Sequence, residues 1–374
     1  MNTKSTIHVG LIGCGSITEF IHIPGLLLCP DVEISIACDA VEEAAEGIAG
    51  KYGILNHTTD YSTVLEEKNI DAVIIATPNY LHKPISMEAI RQGKHILCEK
   101  PIGLDLQECT EMVTAVKDSG LINVVSFVYR YTPAMRYMKY LVDQKAFGEI
   151  RHFRANYLQS VPEFYLGWRS DPKQNGKAGA LGDVGVHLID FARYLIGEIS
   201  AVSGWTKTFL TKRHLPGTEK YIDCVVDDAA GYLTEFENGA TGVFEVTRLA
   251  LGRGCGQPEY QYVEINGTKG SAIYYLQDPF RLQVCPGQPF DDQQMVTVNV
   301  PERFLKAPGS PRKINAEAPN LGFRYDQAFD FIEAVKRADQ SGLPDFVDGQ
   351  KAQAVVDAVL RSVDERRWIP VEKL

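Results

Sequence analysis

Two short stretches combine residue types that could do chemistry on a polar substrate. In the first, Glu99-Lys100-Pro101, an acid and an amine stand together at the end of an apolar run, His95–Cys98, that reads as a strand. Proline ends the strand ladder there, and Asp105 with Glu108 has the spacing of a capping box for the next helix. In an open parallel sheet, ligands bind beyond the carboxyl ends of the strands, which is where Lys100 stands. In the second, Asp183 and His187 are four residues apart in a predicted helix, Leu181–Ile196, and so share one face with Cβ atoms about 5–6 Å apart. Gly182 and Gly185 strip side chains from the same turn and let a ligand or another backbone approach. The residue types alone equally allow an Asp that caps a first turn and a His satisfied in the core.

A third stretch points to a nucleotide. The apolar strand Ile7–Ile12 runs into Gly13-Cys14-Gly15-Ser16-Ile17-Thr18, and a helical pattern follows to about Leu28. Gly13 suits the tight turn, and Gly15 lets backbone approach a pyrophosphate at a helix N-terminus. Thr18 occupies the place of the usual third small residue, which loosens the expected helix–strand packing. Asp39 ends the second predicted strand, 24 residues after Gly15, where a carboxylate can accept ribose hydroxyls. A 2′-phosphate ~4 Å from that carboxylate would be repelled by about 4 kcal/mol at an effective dielectric of 20, so NAD is expected and NADP disfavoured. No Lys or Arg follows Asp39 before Lys51 to offset the repulsion.

The elements that must position these residues alternate through the first third of the chain. Predicted strands Val32–Cys38, Ala72–Ala76, His95–Cys98 and Ile122–Phe127 are separated by predicted helices Val41–Tyr52, Leu81–Gln92 and Asp105–Ser119. This is the pattern of βαβ units in a parallel sheet. Ala76-Thr77-Pro78-Asn79, with His82 following, lies at a strand's carboxyl end beside the strand carrying Lys100. As a bland alternative, Thr77 and Pro78 are also good cap and first-turn residues. From about Asn123 the alternation stops. A helix Pro133–Val142 leads to strand Ile150–Gln159, then to a polar, aromatic loop 160–179, the Leu181–Ile196 helix, and strands 199–208, 228–236, 240–248, 261–266 and 271–275. Asn238-Gly239 is a two-residue hairpin signal. Two amphipathic helices, 324–338 and 349–366, close the chain, and the Pro- and Gly-rich segment 307–319 reads as a surface loop.

At 374 residues the chain is long for one core, and its net charge of −10 argues against a nucleic-acid partner. No stretch approaches the ~20 apolar residues of a membrane span, and no signal peptide precedes the first strand, so no membrane association is expected. Eight cysteines form no C-x-x-C pair, which suggests reduced, buried thiols, a cytoplasmic setting and no metal site.

Taken together, Gly13-Cys14-Gly15, Ala76-Thr77-Pro78-Asn79 with His82, Glu99-Lys100-Pro101, Arg130, Trp168-Arg169 and Gly182–His187 resemble the glucose–fructose oxidoreductase and inositol dehydrogenase (Gfo/Idh/MocA) family across essentially the whole chain. The resemblance implies an α/β N-terminal Rossmann domain, assigned to residues 1–123, that binds NAD on a parallel sheet. An α+β domain with an open, mostly antiparallel sheet, assigned to 124–374, would serve substrate binding and oligomerisation. It implies hydride transfer between nicotinamide and a secondary hydroxyl or carbonyl of a sugar, glycoside or polyol. Lys100, Asp183 and His187 would be the catalytic set. Cofactor contacts would come from Gly13, Gly15, Ser16, Ile17, Asp39, Thr77, Pro78, Asn79, His82, Glu99, Lys100, Trp168 and Arg169. Substrate contacts would add Arg130, Tyr131, Gln159 and Tyr165 to the catalytic set. Pairing of antiparallel sheets would make a homodimer or homotetramer. The competing functions are an NAD-retaining glycosidase that oxidises C3 only transiently, and a non-catalytic sensor.

Overall fold

The structure is a computed structural model that describes residues 6–161, 167–214, 221–254, 260–287, 293–314 and 322–374. The chain forms two compact units, one of residues up to Val128 together with 306–350, the other of 129–305 together with 351–374.

In the first unit, strands β1 (Ile7–Ile12), β2 (Val32–Cys38), β3 (Asn56–Thr58), β4 (Ala72–Ile75), β5 (His95–Cys98) and β6 (Asn123–Val125) form one sheet in the order β3-β2-β1-β4-β5-β6. All five pairings are parallel. Near-continuous apolar strands are what a sheet covered on both faces requires, and Ala72–Ile75 and Leu97–Cys98 are fully buried. The strand order reverses between β1 and β4, which is the switch point where such sheets take ligands.

The expected boundary at 123/124 differs from this division, because it would cut β6 and leave the 306–350 segment out of the first unit. Helix Asp326–Arg337 turns Ala328, Phe329, Phe331 and Ile332 into the same core as β1 and β6. Gly25 makes that packing close, since a Cβ there would stand 2.8 Å from the Ala328 Cβ and 2.9 Å from the Tyr325 carbonyl. The described part of the Pro- and Gly-rich stretch is an ordered surface loop, with Pro308, Gly309, Pro311 and Lys313 exposed and Ala307, Ser310 and Arg312 turned inward. Buried Asp326 accepts hydrogen bonds from Ala307 N (2.9 Å), Ser310 Oγ (2.6 Å) and Arg312 Nη2 (2.9 Å), pinning the segment.

The second unit carries strands β7 (Ile150–Leu158), β8 (Ile199–Lys207), β9 (Lys212–His214), β10 (Tyr221–Asp223), β11 (Ala229–Phe236), β12 (Thr241–Thr247), β13 (Tyr260–Gly267), β14 (Gly270–Tyr275), β15 (Arg281–Pro286), β16 (Val296–Asn299) and β17 (Ile369–Pro370). Apart from the β9–β10 ribbon they form one nine-stranded sheet, β16-β15-β14-β13-β7-β12-β11-β8-β17. It is antiparallel except at β7–β12. Asn238-Gly239 joins β11 to β12 as its turn chemistry predicts, with Gly239 at φ +85°.

The sequence pattern missed β3 and helix Tyr61–Glu66, together with the short strands β9, β10, β15, β16 and β17. These are brief or polar segments whose pairing, not their periodicity, makes them strands. Two predicted helices begin differently as well. Thr18–His22 and Leu181–Gly185 are wide, π-type turns that precede helices Ile23–Leu26 and Val186–Leu195.

Candidate active site

In the first unit the sites singled out in the sequence gather at the carboxyl ends of β1, β2, β4 and β5. Gly13 turns sharply at φ +98°, and a Cβ there would lie 2.4 Å from the Ala76 carbonyl, so the turn after β1 rests directly on the turn after β4. The expected looseness at Thr18 is filled by chemistry: its buried hydroxyl donates to the Gly13 carbonyl at 2.5 Å. Pro24 lacks the N–H that would continue an ordinary first turn, and Ile23 N reaches back to Thr18 O. Gly15 and Ser16 are exposed, and nothing lies within 4 Å of where a Gly15 Cβ would be. Asp39 accepts from Cys14 N at 2.8 Å through one oxygen and from Val41 N at 2.9 Å through the other. The carboxylate therefore ties the end of β2 to the glycine turn, while the cap of helix Glu42–Tyr52 is Val41.

The next two strand ends are joined by His82, whose ring is fully buried. Its Nδ1 faces the Pro101 carbonyl at 2.7 Å and its Nε2 the Thr77 carbonyl at 2.9 Å. Burial pushes the imidazole below its ordinary pKa against the pull of those two carbonyls. The Lys100–Pro101 bond is cis. Glu99 is held by His22 Nε2 (3.0 Å) and Ser126 Oγ (2.7 Å), and Ser126 also meets Gln327. Burial alone would raise the Glu99 carboxyl, but His22, the Lys100 ammonium and Ser126 together hold it below the usual carboxylate range. The capping box is half formed: Asp105 accepts from Glu108 N, whereas the Glu108 side chain reaches Leu104 N.

In the second unit, Asp183 lies inside the wide turn and His187 is the second residue of the helix after it. This differs from the uniform helix expected, and the cause lies beneath the turn. Buried Asp227 accepts from Gly179 N at 2.6 Å and Leu181 N at 2.9 Å, drawing the backbone onto the loop before β11. A Cβ on Gly179 would stand 2.0 Å from the Asp227 carbonyl. Burial pushes the Asp227 carboxyl up, opposed by those two amides and by Arg248. His187 is 5% exposed and packs edge-on against Tyr129, with ring centres 4.8 Å apart. Tyr129 in turn hydrogen-bonds Tyr157 at 2.7 Å.

The second-rank candidates find varied surroundings. Arg130 is bound by Asp190 through Nε at 2.9 Å and lies 4.8 Å over the Tyr194 ring, an anchored guanidinium. Tyr131 is buried, and Gln159 is half-buried just past β7. Arg169 stacks on Trp168 at 4.4 Å. Tyr165 lies outside the described residues. Among those described, no three His, Cys, Asp or Glu side chains converge as a metal site would require, and no helix is long and apolar enough to cross a membrane. Sequence reasoning did not reach His22, Ser126, Tyr129, Asp227 or Arg248, since each acts through a partner distant in sequence.

The donor set fits a dinucleotide. The glycine turn is open above Gly15, a carboxylate is fixed at the end of β2, and the buried Thr77 hydroxyl has no hydrogen-bond partner among the described residues. A parallel sheet with this strand order and this turn is a dinucleotide-binding domain of the Rossmann type. Comparison with known proteins agrees along the chain. Residues 7–127 match the oxidoreductase family with an NAD-binding Rossmann fold, and residues 135–273 match the GFO/IDH/MocA C-terminal domain. The chain belongs to the Gfo/Idh/MocA family and is an NAD-dependent oxidoreductase. It is 33% identical to levoglucosan dehydrogenase of Pseudarthrobacter phenanthrenivorans over 91% of this chain and 90% of that one. With inositol 2-dehydrogenase of Rhizobium meliloti it shares 26% identity over 98% and 99% of the two chains. The solved structure of a levoglucosan dehydrogenase with NADH and levoglucosan superposes with a TM-score of 0.88, at 32% identity over 98% of this chain and 100% of that chain.

Proposed function

We propose that the protein oxidises a secondary ring hydroxyl of an uncharged sugar, anhydrosugar or polyol, with levoglucosan the first compound to try. The observation that carries this is Asp183 in its wide turn with His187 in the helix that follows, in a chain similar to a levoglucosan dehydrogenase over nine-tenths of its length. Gly13, Gly15, Ser16, Ile17, Asp39, Thr77, Pro78, Asn79, Glu99, Trp168 and Arg169 would hold the cofactor, and buried His82 would serve it only by fixing the turns that bear Thr77 and Pro101. Bound NAD supplies the two-electron acceptor. His187 takes the hydroxyl proton as general base, a role that contributes ~10²–10⁴-fold. Lys100 donates a hydrogen bond to the same oxygen and stabilises the developing alkoxide. Asp183 orients the sugar through a neighbouring hydroxyl, and Arg130, Tyr131, Gln159 and Tyr165 shape the rest of the substrate site.

NADH formation over a panel of levoglucosan, scyllo-inositol, myo-inositol and free hexoses tests the reading, with net NADH expected from at least one of them. Turnover of glycosides with no net NADH would instead support the glycosidase alternative, which none of the relatives named above favours.

A homodimer, or a tetramer built from dimers, would form through the sheet of the second unit. Trp205 and Leu233, 50% and 48% exposed, share one face of it, and Gly231 lets the Trp205 ring lie against β11. The cytoplasm suits a consumer of NAD with free thiols at Cys14, Cys29, Cys38, Cys98, Cys224 and Cys285.

A further inference from the structure

Arg248 has no part in the reaction as described above, yet its environment is unusual for a residue that only packs. It directly follows β12 and its side chain is 0% exposed. One nitrogen, Nη2, donates to the Asp227 carbonyl at 3.2 Å, and another, Nη1, stands 3.7 Å from Asp183 Oδ2. Among the described residues, neither Nη1 nor Nε has a hydrogen-bond acceptor. A buried guanidinium with two unanswered donors is costly, and an apolar side chain of similar volume would usually be neutral or better for stability. The backbone also makes room for it: a Cβ on Gly179 would meet Nη2 at 2.8 Å.

Two acids flank this cation. The Asp227 carboxylate is engaged by the amides of Gly179 and Leu181. The Asp183 carboxylate is close enough for strong charge attraction but beyond hydrogen-bond length. Arg248 therefore attracts Asp183 without occupying one of its lone pairs, and the attraction acts across the short turn that both Gly179 and Asp227 define.

We propose that Arg248 is a positioning residue for Asp183, a buried counter-charge that holds this carboxylate in the orientation that receives a substrate hydroxyl. The inference rests on the reading of Asp183 as part of the substrate site. Misplacing a substrate-orienting group by about 1 Å is enough to cost ~10²-fold in rate.

A double-mutant cycle on the full-length enzyme with NAD tests it, using levoglucosan, or scyllo-inositol if that proves the faster substrate. Arg248→Met is expected to lower kcat/KM about 30- to 100-fold in the wild-type background and less than about 3-fold when Asp183 is already Asn. Arg248→Lys, which keeps the charge, should recover to within about 5-fold of wild type. Equal losses in both backgrounds, or a lysine no better than methionine, would overturn the proposal and leave Arg248 a purely structural cation. An Asp183→Asn enzyme with undiminished kcat/KM would overturn the reading of Asp183, and this inference with it. Should Arg248→Met fail to fold, Arg248→Gln, which keeps a donor for the Asp227 carbonyl without the charge, replaces it with the same expectations.

Discussion

His187, Lys100 and Asp39 make separable predictions at the scale of single residues. His187→Ala and Lys100→Ala are each expected to lower kcat by 10²-fold or more while NAD still binds, measured by steady-state kinetics beside a cofactor titration. Near-normal turnover in either variant would reject its role. Asp39 holds the amides of Cys14 and Val41 and brings its charge to the glycine turn. The wild-type enzyme should therefore show a higher kcat/KM with NAD than with NADP, and Asp39→Ala should narrow the ratio while weakening both. Asp39 and Lys100 were readable in the sequence because they stand one and two residues past the ends of β2 and β5, and His187 because it lies four residues after Asp183. His22, Asp227 and Arg248 were not. Their partners Glu99, Gly179 and Asp183 lie 77, 48 and 65 positions away, so the chain must fold before the pairing exists.

At the scale of elements, the alternating strands and helices of the first unit were legible because buried parallel strands are apolar throughout. The wide turns were not, since their cause is external. Thr18–His22 follows from a threonine bonding backward and a proline without an N–H, and Leu181–Gly185 from a buried aspartate pulling on two amides. Such turns recur at functional sites. Two glycine substitutions separate structure from binding here. Gly179→Ala would drive a Cβ to 2.0 Å from the Asp227 carbonyl. It should cost ~2 kcal/mol or more, read as a lower thermal midpoint. Gly15→Ala meets open space, so its melting should be unchanged while its Kd for NAD rises. A normal midpoint in the first variant, or normal NAD affinity in the second, would contradict these assignments.

At the scale of the whole molecule, Glu198 joins Arg193 to Lys351, and so ties helix Val186–Leu195 to the C-terminal helix within the second unit. Burial alone would raise its carboxyl, but the Arg193 and Lys351 contacts outweigh it and bring the pKa down to about 2. The folded state therefore releases this proton more readily than the unfolded chain. Its stabilisation is complete above the unfolded value of ~4.3 and is lost as pH falls toward 2. Melting curves between pH 6 and 3 should show Glu198→Gln losing less stability on acidification than the wild type, and equal losses would remove the linkage. Light scattering should find a dimer or larger, and Trp205→Ala with Leu233→Lys should shift it toward monomer.

The first unit is assembled from two parts of the chain, and that gives synthesis a direction. When Val128 leaves the ribosome all six strands of its sheet exist, but Ala328, Phe329, Phe331 and Ile332 do not. Leu26, Ile23 and their neighbours stay without that apolar cover until Gln350 emerges roughly 220 residues later, about 10–45 s at ~5–20 residues per second. During that interval the growing chain presents a greasy face that chaperones can hold and that crowded nascent chains can stick through. Yield in the cell is then set by how quickly residues 306–350 are delivered, and slow codons between the two halves of the first unit should lower the soluble fraction more than the same codons placed after residue 350.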